Sequence, residues 1–225
     1  MDMATAEELT LPAWQSAMGD DDRKGEAFSW EEKLLALLEQ ARERLDREHA
    51  EAPALCAELL ASPPDAQGER VALDPRFRTW GVGEELLRRS AREDEAGAAI
   101  RLAGLALAAL AGLEERHGEP LVRDLEARAW ACLGTARLRA RDLGGAEEAL
   151  REGAFCLVDG TGDLLVDARL LEFEAAVREA QGGLRAASSL LRQAEARYRE
   201  IGETTLAARA GETRERLLRA LNPVS

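Results

Sequence analysis

Ala127-Arg128-Ala129-Trp130-Ala131-Cys132-Leu133-Gly134 runs on through Arg137, Leu138 and Leu143 into Gly145-Ala146-Glu147-Glu148-Ala149-Leu150, and the reading of this stretch decides the fold. Leu-Gly follows the tryptophan three residues later. A small residue, Ala146, stands sixteen from Trp130, and a large apolar one, Leu150, four beyond it. Apolar residues recur at helical spacing on either side of Arg141-Asp142, which predicts two amphipathic helices joined by a short turn. Such neighbours run antiparallel, because a short connection leaves them no other arrangement.

A shift of 41 residues brings part of the stretch back: Trp130 falls on Leu171, Leu143 on Leu184, Ala146 on Ala187 and Leu150 on Leu191. Tryptophan, Leu-Gly, then a small residue and a large apolar one four later resembles the tetratricopeptide repeat, W-x-x-L-G followed by A-x-x-x-F. The likeness is clearest over residues 127–199. It implies an all-α fold, a right-handed superhelix of antiparallel helix pairs, whose mode of action is to bind another polypeptide. Arg141 stands where that family has a turn glycine, Arg137 and Arg178 where it has a packing tyrosine, and Glu174-Ala175 where it has the second Leu-Gly.

Composition agrees with helices throughout. Apolar residues make up 46% and aromatic ones only 4%, so the core is built from leucine and alanine, both good helix formers. Outward from the repeat, residues 1–28 read as an acidic tail too poor in apolar groups to offset the entropy of ordering. Leu9, Leu11, Trp14 and Met18 are the alternative there, a short docking element. Residues 29–93 form an N-terminal helical segment. It opens with the capping box Ser29-Trp30-Glu31-Glu32, ends its first helix near Ala50, and starts a second at Ala52-Pro53. Residues 94–225 hold the repeats, closed by a capping helix over Thr204–Leu221.

The formal net charge of −13 opposes binding to a phosphate backbone or an anionic membrane. Of this charge −7 lies in residues 1–32, where nine Asp or Glu face Arg23 and Lys24. Only Lys24 and Lys33 of thirty basic residues are lysine, a skew expected of a GC-rich bacterial genome. No signal peptide or membrane span is read, so the expected setting is the cytoplasm. Cys56, Cys132 and Cys156 have neither disulfide-framework nor zinc spacing.

No residue pattern calls for catalysis, metal or cofactor. His49 and His117 have no second ligand at helical spacing and are expected near helix ends, meeting free carbonyls. Asp159, Asp163 and Asp167 bracket glycines without the calcium-loop pattern and read as an inter-helix turn. Gly81-Val82-Gly83 lacks the third glycine and the lysine of a phosphate loop and reads as a helix start. Cys132 and Cys156 read as small core residues.

What remains is surface. In the family that the chain resembles, the first helix of each pair lines a groove. Spacing from Arg128 then selects Thr135, Leu138 and Arg139, with Arg169, Glu172 and Glu179 on the next pair. Arginines there fork onto a partner's carboxylates; the plainer reading is a solvated helix face. The expected function is a non-catalytic adaptor that binds a segment of a partner protein, with no nucleic acid or membrane and with pairing of two chains through Trp14 or Trp30 left open. The alternative is a sequestering regulatory subunit whose acidic tail competes for a basic surface on its target.

Overall fold

The computed structural model describes residues 30–222, and all regular structure in it is helical. The acidic tail and the Ser29 cap lie outside the described residues. The helices are α1 (Trp30–Leu60), α2 (Pro64–Leu73), α3 (Trp80–Arg92), α4 (Ala96–Leu110), α5 (Glu114–His117), α6 (Glu119–Arg139), α7 (Leu143–Val158), α8 (Leu164–Ala180), α9 (Leu184–Glu200) and α10 (Thr204–Leu221), with a 3₁₀ turn at Pro75–Phe77. The chain divides into two compact units, residues 1–41 and 42–225. Within the described part of the first, Trp30, Leu34, Leu35, Leu37 and Leu38 are exposed. Among the described residues no helix is long and apolar enough to cross a membrane.

In the second unit the helices pack in chain order. α3 pairs with α4, α6 with α7 and α8 with α9, while the second helix of each pair also leans on the first helix of the next: α4 on α6, α7 on α8, α9 on α10. First helices meet as well, α3 with α6 and α6 with α8. The core is accordingly a series of local clusters. One gathers Cys56, Leu59, Phe77, Val82, Leu86, Leu102, Leu110 and Leu125. A second joins α6, α7 and α8 through Ala146, Ala149, Leu170 and Phe173. A third joins α8, α9 and α10 through Ala187, Leu191, Tyr198 and Leu217.

The 41-residue shift is a structural period. α6 ends at Arg139 and α8 at Ala180, while α7 starts at Leu143 and α9 at Leu184. The turns repeat too. The amide of Asp142 donates to Arg137 O at 2.9 Å, that of Gly183 to Arg178 O at 2.8 Å, and that of Glu203 to Tyr198 O at 2.8 Å. This six-to-one bond closes a helix through one left-handed residue. Gly182 and Gly202 supply it at φ 81° and 79°, but Arg141 does so at φ 61°. Side-chain caps start two of the helices: Asp142 accepts from Gly145 N at 2.9 Å at the start of α7, and Asp163 from Leu165 N at 2.7 Å at the start of α8.

Two local expectations need correction. The break expected at Ala52-Pro53 is absent, and α1 runs through Pro53 without interruption. A proline there forgoes one backbone hydrogen bond, but the turn is held from outside. Ala52, Cys56 and Leu59 are buried, Arg89 donates to Pro53 O at 3.3 Å, and Glu48 accepts from Trp80 N at 2.8 Å. Gly81 has no Cβ to strike the Glu48 carbonyl, so α3 lies directly on the α1 backbone. His49, expected at a helix end, is therefore inside α1, and its Nε2 lies 2.8 Å from Glu84. His117 does close α5, against the Trp80 ring at a centroid distance of 5.4 Å.

At Gly134 the backbone of α6 lies against Phe173 of α8. A Cβ there would collide with Cζ at the tip of the ring of Phe173, a residue only 4% exposed. We expect Gly134→Ala to destabilise by about 1 kcal/mol in urea melts, as overpacking of ~1–3 kcal/mol outweighs ~1 kcal/mol of helix propensity. Gly104, on α4 with nothing within 4 Å of the corresponding Cβ, gives the opposite sign on substitution by alanine. Arg141→Gly should raise stability by about 1 kcal/mol, by removing the left-handed strain of a residue that carries a Cβ.

Candidate functional site

The first helices α3, α6, α8 and α10 share one cavity of about 590 Å³. Its floor is small and apolar, with Leu87, Ala131, Ala136, Phe173 and Ala176, and the Cys132 thiol lies in its wall. Phe173 reaches the floor because Gly134 leaves room beneath it. The contact that sets the approach of α6 to α8 thus also shapes the cavity.

Around this floor stand Arg88, Arg128, Arg139, Arg169 and Arg209 against Glu84 and Glu172, a local balance of +3 in a chain of net charge −13. The arginines differ in how they are held. Arg88 Nη2 donates to Glu85 Oε1 at 2.6 Å, and Arg139 Nη2 to the Glu93 carbonyl at 2.7 Å. Arg128 Nη1 donates to Glu84 Oε1 at 2.9 Å. Arg169 and Arg209 are exposed, and their guanidinium groups make no hydrogen bond or ion pair with any described residue. The nearby carboxylates are already engaged: Glu172 accepts from the buried Tyr198 hydroxyl, and Glu84 is shared by Arg128 and His49.

Arg128, Thr135, Arg139, Arg169 and Glu172 line this cavity. Leu138 and Glu179 lie outside its lining. Leu138 packs against the α6–α7–α8 cluster, and Glu179 accepts two hydrogen bonds from Arg216 of α10, at 2.8 and 3.0 Å. Sequence spacing missed Glu84 and Arg88, which come from α3, as well as Arg209. A signal for Arg209 does exist. α8 starts at Leu164 and α10 at Thr204, so Arg169 and Arg209 occupy the same sixth position of their helices. Arg128 lies one 41-residue period before Arg169, which extends the register to three first helices.

Burial pushes the thiols of Cys56 and Cys156 up to about 11. Cys132 is raised by the same cause, against the pull of its contact with Ser90. None of these thiols is set up as a nucleophile. Two of the aspartates near Gly160 have structural partners, since Asp163 caps α8 and Asp167 accepts from Arg197 at 2.9 Å, while Asp159 stands at the end of α7 with its backbone amide donating into that helix. Asp124 of α6 reaches across to accept from Thr161 N at 3.2 Å. Among the described residues no cluster of His, Cys, Asp and Glu has the arrangement of a metal site.

Comparison with protein-family models, with curated proteins and with solved structures finds no match to this chain.

Burial raises the Glu84 carboxyl, but hydrogen bonds from Arg128 and His49 outweigh it and leave the group below the usual carboxylate range. A lowered folded-state value contributes stability in full above the unfolded value near 4.5, and that stability is lost as pH falls through the folded value. Glu84→Gln should therefore cost about 1 kcal/mol or less near neutrality, since the pair is partly exposed. The gap to wild type should close in urea melts taken below about pH 4.5. Parallel curves through that range would show that Glu84 is not held by charge.

Proposed function

We propose that this chain is a non-catalytic protein-interaction module of tetratricopeptide type, a right-handed superhelix of antiparallel helix pairs that takes a segment of another protein along its first helices. The observation that carries the reading is the cavity itself. Four first helices turn exposed polar side chains toward one apolar-floored hollow. Its volume and mixed lining suit insertion of side chains from a partner segment. The two unpaired arginines are groups for which no internal role is evident, and they gain most from a ligand.

The role is that of an adaptor in a bacterial cytoplasm. Three free cysteines, two of them buried, accord with a reducing compartment. The cavity wall offers fixed charge and shape but no nucleophile activated by a neighbouring base, so recognition suits it better than turnover.

Filling the cavity tests the reading. Thr135 is exposed on α6 within the lining, and its hydroxyl donates to Ala131 O at 2.8 Å. Thr135→Trp puts a bulky ring into the hollow without disturbing a core cluster. We expect wild-type protein to retain a defined protein partner from its native lysate and the variant to lose at least about 90% of it, a loss of ~1.4 kcal/mol or more. The melting temperature should stay within a few degrees. Equal retention by both would place any partner elsewhere on the surface.

A further inference from the structure

Resting on the reading above, we infer that the segment taken into this cavity is acidic, with carboxylates that meet Arg169 and Arg209 and an apolar side chain between them on the Phe173–Ala176 floor. Three observations converge on this chemistry. Arginine recurs at one register on consecutive first helices, as Arg128, Arg169 and Arg209. The first of the three is already neutralised by Glu84, whereas the guanidinium groups of the other two have no hydrogen-bond or ion-pair partner among the described residues. Of the groove glutamates, Glu172 accepts from Tyr198 and Glu84 from Arg128 and His49, and neither makes an ion pair with Arg169 or Arg209.

An unpaired guanidinium is well met by a carboxylate, which, like a phosphate, accepts two parallel hydrogen bonds from it. The rest of the chain limits how the anion is presented. A net charge of −13 repels a polyanion in proportion to its charge, and duplex nucleic acid carries one charge per ~1.7 Å. A short acidic segment meets far less of that repulsion. Its apolar side chain also has a use for the floor of Leu87, Ala131, Phe173 and Ala176, which a sugar-phosphate backbone does not.

The test uses fluorescence anisotropy on the full chain with four labelled probes. These are a twelve-residue peptide alternating Asp or Glu with Leu and Ala, its Asn/Gln twin, its Lys twin, and a single-stranded oligonucleotide of equal negative charge. The acidic peptide should bind about tenfold or more tighter than the amide twin, and added salt should weaken it. The double variant Arg169→Gln, Arg209→Gln should lose about tenfold or more for that peptide alone. Arg151→Gln with Arg192→Gln, which removes two exposed arginines of α7 and α9, should change it less than about threefold. Equal binding of the amide twin, or preferential binding of the oligonucleotide, overturns the acidic assignment. So does binding of the acidic peptide that ignores the cavity double variant. If no probe binds, this inference fails, and the protein-binding reading is decided separately by lysate capture with Thr135→Trp.

Discussion

The packing of the Phe173 ring over the bare backbone of Gly134 is the contact on which the arrangement of α6, α8 and their shared cavity depends. Side chains longer than hydrogen at that point would hold the two helices apart. With glycine there, Phe173 is buried, Leu170 reaches α7, and the exposed sides of both helices meet in one hollow. A Cβ on Gly153 of α7 would come within 3.0 Å of Leu170 and 3.3 Å of the Trp130 Cβ, so that glycine also lets neighbouring side chains approach closely. Trp130 itself bridges two adjoining clusters. The two signature residues, Trp130 and Gly134, thus have different tasks: one fills, the other yields space.

A core built from successive local clusters has consequences for stability. Each helix is supported by its neighbours in sequence, so packing terms are short-range along the chain. The repeated six-to-one turns fix the angle at which each helix leaves the previous one. Arg141 shows that this geometry is imposed by the packing, since a residue with a Cβ is held there in a conformation that glycine adopts freely. At the matching site of the next pair, Glu174-Ala175 replaces Leu-Gly, and buried Ala175 lies in the α8–α9–α10 cluster. Of these two matching positions, only Gly134 has to present a bare backbone.

Helical content, the turns at Arg141-Asp142 and Asp159–Asp163, the helix Thr204–Leu221 and the 41-residue period were legible in the sequence because each follows from apolar spacing and local turn chemistry. Pro53 misled for a definite reason: its local cost is outweighed by burial of Ala52, Cys56 and Leu59 and by the approach of Gly81, none of which is local. The side chains that α3 contributes were hidden in the same way, for Glu84 meets Arg128 across forty-four residues. Arg209 was hidden only because the register was not carried one helix further. The charge of the cavity was also obscured, since a balance of +3 on one face is invisible in a total of −13.

The most direct test of the central contact is a double-mutant cycle in stability between Gly134→Ala and Phe173→Leu. If the alanine methyl and the aromatic ring compete for one space, shrinking the ring relieves the clash. The double variant is then less destabilised than the sum of the single ones, by about 1 kcal/mol. Additivity within ~0.5 kcal/mol would contradict the account, because it would mean that Gly134 and Phe173 do not share the space that brings α6 and α8 together.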